Sequence, residues 1–214
     1  MIDRLHFISQ KTPKYDHIKS IERALISGCK WIQLRVKNEP DSTVLSYALE
    51  AKKICDKYGS KLIINDYPHV AKEVYAYGVH LGLSDMPIED ARKITGNKLV
   101  IGGTANTIED ILSRIKFGAD YIGLGPLRYT PTKEKLSPIL GIEGYTAIMN
   151  KLRNLGLNFP LIAIGGIMLE DVSRLRALGL HGVAVSGSIT FADNQNNAVK
   201  EFYTALQSTE MINI

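Results

Sequence analysis

The sequence predicts an α/β protein built as a single-domain (β/α)8 TIM barrel over residues 1–214. Three observations carry that expectation. Short apolar runs alternate with longer amphipathic ones eight times, with no break in composition. Most of the amphipathic runs end on a glycine, a good helix stop. The polar residues that are hardest to explain as packing fall just after the apolar runs, where such a barrel opens its ligand site. The runner-up is a doubly wound open sheet. No G-x-G-x-x-G opens a helix after the first strand, which weakens its dinucleotide-binding version.

Leu5-His6-Phe7-Ile8 is the first predicted strand, followed by a helix over 16–27 that stops at Gly28. Trp31 to Arg35 is the second strand. Asp41 or Ser42 is the expected cap of a helix to Tyr58, ended by Gly59. Lys61 to Asn65 is the third strand, and Pro68 opens a helix through Tyr77. Val79-His80-Leu81 is the fourth strand and 87–95 its helix. Leu99 to Gly102 is the fifth, with Thr107 capping a helix through Phe117. Tyr121 to Leu124 is the sixth strand, stopped by Gly125-Pro126, and a helix over 141–155 follows. Pro160 to Ile164 is the seventh, with a helix over 169–178. Gly182 to Val185 is the eighth, and a last helix runs from about Asn196 to Gln207.

Charge and composition narrow the partners. The net charge of +4 is modest and the lysines are dispersed, so a nucleic-acid surface has little support, and no aromatic stacking platform is visible. No apolar run approaches the roughly 20 residues a membrane span needs. Cys29 and Cys55 sit in apolar or helical contexts without a zinc spacing or a signal-peptide pattern. They are expected to be buried free thiols in a reducing cytoplasm. Oligomeric state is left open; homo-oligomers through exposed helix faces are a fold-level analogy only.

The second strand continues as Gln33-Leu34-Arg35-Val36-Lys37. Alternation puts Gln33, Arg35 and Lys37 on one face, towards the barrel axis and mouth. Such a face is costly unless an anion meets it; an edge strand with one wet face is the bland reading. Asn65-Asp66 closes the third strand, and Ser84-Asp85 lies beyond the fourth. Two carboxylates at adjacent strand ends can share one hard cation such as Mg²⁺. Singly, Asp66 is an ordinary turn residue and Asp85 an ordinary cap. Gly102-Gly103-Thr104, Gly165-Gly166 and Ser186-Gly187 follow strands five, seven and eight. Glycine loops after strands seven and eight are the usual phosphate site of these barrels. The loop Thr130-Pro131-Thr132-Lys133 adds two hydroxyls and a cation.

These motifs, with His80-Leu81-Gly82-Leu83-Ser84-Asp85, Gly123-Leu124-Gly125-Pro126 and Ala163-Ile164-Gly165-Gly166-Ile167, resemble the thiamine phosphate synthase family in order and over nearly the whole chain. The resemblance implies a Mg²⁺-dependent transferase that joins a hydroxymethylpyrimidine diphosphate to a thiazole phosphate. It implies Asp66 and Asp85 as Mg²⁺ ligands. Gln33, Leu34, Arg35, Val36, Lys37, Asn65, Thr104 and Lys133 would bind the pyrimidine diphosphate. Thr130, Pro131 and Thr132, with Gly166, Ser186 and Gly187, would bind the thiazole phosphate. Arg35, Lys37 and Lys133 would stabilise the charge of the leaving diphosphate. The chain departs from the family pattern at Leu83, usually Gln, at Thr104, usually Ser, and at Ser186-Gly187. Sister thiazole tautomerases rely on a histidine where this chain has Asn106 and usually lack the Thr-x-Thr-Lys loop and the metal aspartates. A sugar-phosphate isomerase or epimerase barrel would share the glycine cradle, but would need a carboxylate or cysteine pair for proton abstraction. A non-catalytic thiazole-phosphate-binding barrel would fit Leu83. His6, His69 and His181 carry no assigned role, and His80 is expected to be a satisfied core histidine.

Overall fold

The computed structural model describes residues 1–129 and 138–207. Its strands are β1 (Leu5–Ile8), β2 (Trp31–Leu34), β3 (Lys61–Asn65), β4 (Gly78–Leu81), β5 (Val100–Ala105), β6 (Tyr121–Leu124), β7 (Leu161–Ala163) and β8 (Gly182–Val185). Each pairs in parallel with its sequence neighbour, and β1 closes on β8 through Leu5↔Val183, His6↔Ala184 and Phe7↔Val185. This is the closed (β/α)8 barrel expected from the alternation.

The helices among the described residues are α1 (His17–Ile26), α2 (Asp41–Lys57), α3 (Pro68–Glu73), α4 (Ile88–Thr95), α5 (Ile108–Lys116), α6 (Gly141–Asn154), α7 (Asp171–Ala177), α8 (Gly187–Thr190) and α9 (Gln195–Gln207). Local chemistry sets their ends. The Asp16 side chain accepts from Lys19 N–H at the start of α1. Thr107 and Asp110 form a reciprocal capping box at the start of α5. Among the described residues no helix is long and apolar enough to cross a membrane.

Several boundaries differ from the sequence expectation. Neither Asp41 nor Ser42 caps α2: Pro40 holds that position, without a side-chain bond, and Asp41 is already helical. Helix α3 stops at Glu73, because Tyr75 turns into the left-handed region at φ 54°. Strand β5 runs on to Ala105, because Gly103, Thr104 and Ala105 pair with Ile122, Gly123 and Leu124 of β6. The short α8 has no counterpart in the sequence expectation; four residues are too few for a periodic signal.

The strand period of two sorts the core into two layers. Ile32, Leu34, Leu62, Ile64, Val79, Leu81, Ile122 and Leu124 face outwards into the cluster shared with the helices. Trp31, Ile63, Tyr121, Ile162 and Ala184 fill the barrel interior. His6 stacks on Trp31 at 4.4 Å between ring centroids. Gly102 is bare because the Tyr121 ring occupies its side-chain space: a Cβ there would collide with Tyr121 Cζ. One step up each strand, the inward positions turn polar: Gln33 follows Trp31, Asn65 follows Ile63, and Thr104 follows Gly102. The same alternation that plugs the barrel below therefore lines its mouth with polar groups.

Candidate active site

A cavity of about 540 Å³ opens at the carboxyl ends of the strands, within the range of small-molecule sites. Gln33, Arg35, Lys37, Asn65, Asp66, Asp85 and Thr104 all line it. The structure thus brings together the inward face of the β2 end, both aspartates and the β5 hydroxyl.

The floor is a hydrogen-bonded layer. Gln33 Nε2 donates to Asn65 Oδ1 at 2.8 Å, and both side chains are buried. Asn65 Nδ2 has no partner among the described residues. An unmet buried donor costs about 1–3 kcal/mol, and such groups collect at functional sites. Beside it, His80 Nδ1 lies 3.1 Å from the Tyr121 hydroxyl and Nε2 lies 3.0 Å from Thr104 Oγ1. Burial raises the Tyr121 hydroxyl above its usual range, so it stays protonated. His80 is a buried histidine, as expected, yet it also lines the cavity and fixes the Thr104 side chain.

The rim carries the charge. The Lys37 ammonium pairs with the Asp66 carboxylate. Asp66 adopts φ 68°, a left-handed conformation for a non-glycine residue, at a cost of about 1–2 kcal/mol. Burial, with a hydrogen bond shared with Asp85, raises its carboxyl to about 6, against the pull of Lys37. The Asp85 carboxyl lies below its ordinary range: burial raises it, but hydrogen bonds from Asp66 and from Gly82 N–H outweigh burial. Asp85 Oδ2 accepts from Gly82 N at 2.6 Å. Two carboxyls close enough to share a proton form a donor set that a hard dication can bridge in the proton's place. Among the described residues no group of three or more His, Cys, Asp or Glu gathers as a metal cluster. A bound ion would therefore complete its shell with water and ligand oxygens.

Behind this rim, Arg114 of α5 donates from Nε to Thr104 O at 3.2 Å and from Nη2 to Gly82 O at 2.9 Å. It ties the ends of β4 and β5 together. Gly103 leaves it room, since a Cβ there would fall 3.0 Å from Arg114 Cδ and 2.9 Å from Ile88 Cδ1.

Other expected site residues lie elsewhere. Leu34 and Val36 point away from the cavity into the helix-side core. They alternate with the three residues that line it, so only their backbone faces the mouth. Gly166, Ser186 and Gly187 do not line this cavity. Gly166 sits in the β7 loop at φ 72°, beside Gly165 at φ 84°, and Ser186 Oγ donates to Ile8 O at 2.7 Å, tying the β8 end to β1. Thr130, Pro131, Thr132 and Lys133 lie outside the described residues. Leu83 lines the cavity and is 46% exposed. Sequence reasoning gave no role to Asn106 or Tyr121; both line the cavity, and their place at the end of β5 and on β6 was the available signal. Cys29 and Cys55 are free and fully buried, and burial pushes both thiols up to about 12.

A (β/α)8 barrel with cations and carboxylates on one side of its mouth and a two-glycine loop on the other belongs to the class that handles phosphorylated small molecules. The model of the family described as thiamine monophosphate synthase matches residues 5–189. The chain is 46% identical over 212 residues to a thiamine-phosphate synthase of Flavobacterium johnsoniae, covering 99% of this chain and 100% of that one. It is 45% identical over 190 residues to a thiamine-phosphate synthase of Bacteroides thetaiotaomicron, covering 89% and 91%. Among solved structures, a thiamine phosphate pyrophosphorylase from Pyrococcus furiosus superposes with a TM-score of 0.81 at 30% identity, covering 95% of each chain. The chain belongs to the thiamine monophosphate synthase family.

Proposed function

We propose that this transferase joins a hydroxymethylpyrimidine diphosphate to a thiazole phosphate, releasing thiamine phosphate and diphosphate. The observation that carries the reading is the pairing of a buried Gln33–Asn65 floor with a Lys37–Asp66–Asp85 rim in one cavity. A flat heteroaromatic ring suits the floor, and a diphosphate suits the rim.

Chemistry follows from charge. The C–O bond between the pyrimidine methylene carbon and diphosphate breaks, and its electron pair leaves with the diphosphate oxygen. The thiazole nitrogen then gives its lone pair to that carbon. Arg35 and Lys37, with Lys133 from beyond the described residues, offset the negative charge building on the diphosphate. Gln33, Asn65 and Thr104 hold the ring so that its methylene faces the thiazole, and Thr104 does so with its hydroxyl fixed by His80. Leu34 and Val36 contribute through the backbone. Thr130, Pro131, Thr132, Gly166, Ser186 and Gly187 hold the thiazole phosphate. Asp66 and Asp85 would hold Mg²⁺, which would supply further charge neutralisation on the leaving diphosphate. No protein nucleophile is required. The two buried thiols suit a reducing cytoplasm, where we place the reaction.

The test is direct. Purified protein is mixed with both substrates and Mg²⁺, and thiamine phosphate is followed with and without EDTA. Metal-dependent product, abolished in Asp66→Ala and Lys133→Ala, is expected. Well-folded protein that yields no product would overturn the assignment.

A further inference from the structure

Past the main cavity, the β6 and β7 loops are joined by a dense set of bonds centred on Arg128. Leu127 N and Arg128 N both donate to Gly165 O, at 3.0 and 3.1 Å. The Arg128 guanidinium donates to Gly166 O at 2.6 Å. It also grips Asp171 with both arms, at 2.5 and 2.7 Å. Asp171 in turn accepts from Met168 N at 2.7 Å, beyond the same glycines. Each residue in this set faces the loop that carries the two glycines.

The consequence is a matter of peptide geometry. In a trans peptide the C=O of one residue and the N–H of the next point opposite ways. Holding the carbonyls of Gly165 and Gly166 against residues 127 and 128 therefore turns the N–H groups of Gly166 and Ile167 to the other side. The Met168 N–H is already taken by Asp171. Two successive N–H groups, set by residues at φ 84° and φ 72°, form the kind of concave backbone cradle that takes an anion. Gly166 is also the contact surface for the arginine stem: a Cβ there would collide with Arg128 Cγ.

We infer that Arg128 is the positioning residue of the thiazole-phosphate cradle, holding the Gly166 carbonyl outwards through its fork to Gly166 O and Asp171, while the main-chain N–H groups of Leu127 and Arg128 hold the Gly165 carbonyl. This rests on the synthase reading above and assigns a residue that the reading leaves out. Arg128 acts through the loop and touches no substrate. The planar fork is what the role demands; a point charge on a flexible stem cannot serve Gly166 O and both Asp171 oxygens at once.

Steady-state constants for each substrate separately provide the test, with melting temperature as a check on folding. Arg128→Ala is expected to raise KM for thiazole phosphate about tenfold, the scale of one lost charge-assisted hydrogen bond, with KM for the pyrimidine diphosphate unchanged. The inhibition constant for inorganic phosphate against thiazole phosphate should rise in parallel. Arg128→Lys is expected to recover little. Unchanged thiazole-phosphate KM in Arg128→Ala would overturn the inference, as would full recovery in Arg128→Lys, which would mean that charge alone suffices. Equal rises in both KM values with a lowered melting temperature would also overturn it, since they mark general loss of structure. If Arg128→Ala does not fold, Asp171→Asn tests the same fork: it keeps an acceptor for Met168 N–H and removes the charge that orients the guanidinium. Wild-type protein that makes no thiamine phosphate would refute the synthase reading instead. Protection by inorganic phosphate against thermal unfolding, compared between wild type and Arg128→Lys, would then still decide the role of Arg128 in an anion cradle.

Discussion

In the proposed reading, the two halves of the barrel mouth hold phosphate by different means. The half built on β2 to β5 uses side chains: Lys37, Asp66 and Asp85 at the rim, Gln33 and Asn65 beneath. The half built on β6 to β8 offers backbone instead, with the carbonyls of Gly165 and Gly166 tied back to residues 127 and 128. A side-chain site can be tuned in charge and can hold a metal, and it keeps ionisable groups that respond to pH. A backbone site is fixed in charge and depends on conformation, so it needs glycines and a brace. The side-chain half should therefore fail through lost catalysis, and the backbone half through lost binding and lost stability.

The largest effect is expected on the side-chain half. Asp66→Ala should lower kcat by about 10²–10³-fold, on the scale of removing one preorganised electrostatic group, while KM for thiazole phosphate changes little. A kcat within a few-fold of wild type would show that the carboxylate is dispensable to the reaction.

On the backbone half, Gly166→Ala must place a side chain at φ 72° and against Arg128. It should cost about 1–3 kcal/mol of stability, read from denaturant unfolding, and raise KM for thiazole phosphate. Wild-type stability in this variant would show that the loop relaxes freely, and the contrast between the halves would lose its conformational basis.

Stability against pH probes the side-chain half in a second way. In metal-free protein the Asp66 carboxyl titrates near 6 when folded, above its ordinary 3.8. The folded state takes up that proton before the unfolded chain does, so this group adds stability as pH falls through 6. His6 has the opposite sign: burial lowers it from 6.5 to about 3. The unfolded chain is protonated first, so the contribution of His6 is complete above 6.5 and is lost as pH falls towards 3. Asp66→Asn should therefore lose stability between pH 7 and 5 more steeply than wild type. Parallel curves would mean that burial and Asp85 do not raise the Asp66 carboxyl in the folded protein. Mg²⁺ affinity, measured without turnover, should weaken over the same interval as the proton competes for the carboxyl.

A smaller effect is expected deeper in the side-chain half. Thr104→Val leaves His80 Nε2 without its 3.0 Å partner and should cost about 1–2 kcal/mol, with a rise in KM for the pyrimidine diphosphate only. The smallest concerns Leu83, at the cavity edge. Leu83→Gln adds a polar group near Asp85 and should shift pyrimidine-diphosphate KM by no more than a few-fold, since partly exposed contacts contribute about 1 kcal/mol or less. A change beyond tenfold would place this residue in direct contact with the substrate.

The sequence by itself determined the barrel and the side-chain half of the site. Alternation in Gln33-Leu34-Arg35-Val36-Lys37 decides which residues can face the mouth, because the strand period is two and does not depend on the rest of the chain. The same rule places Leu34 and Val36 in the helix-side core. Asp66 and Asp85 were legible because strand ends are marked by turn residues. Tertiary structure decided everything that depends on which loops meet. Nothing near position 128 in the sequence signals that its guanidinium reaches Gly166, and nothing near position 114 that its side chain joins the ends of β4 and β5. His80 illustrates the boundary: its inward register follows from the sequence, but its hold on Thr104 exists only because β4 and β5 are neighbours and the Tyr121 ring fills the space beside Gly102. Periodicity is a local property of the chain. A contact between residues far apart in sequence is a property of the closed barrel.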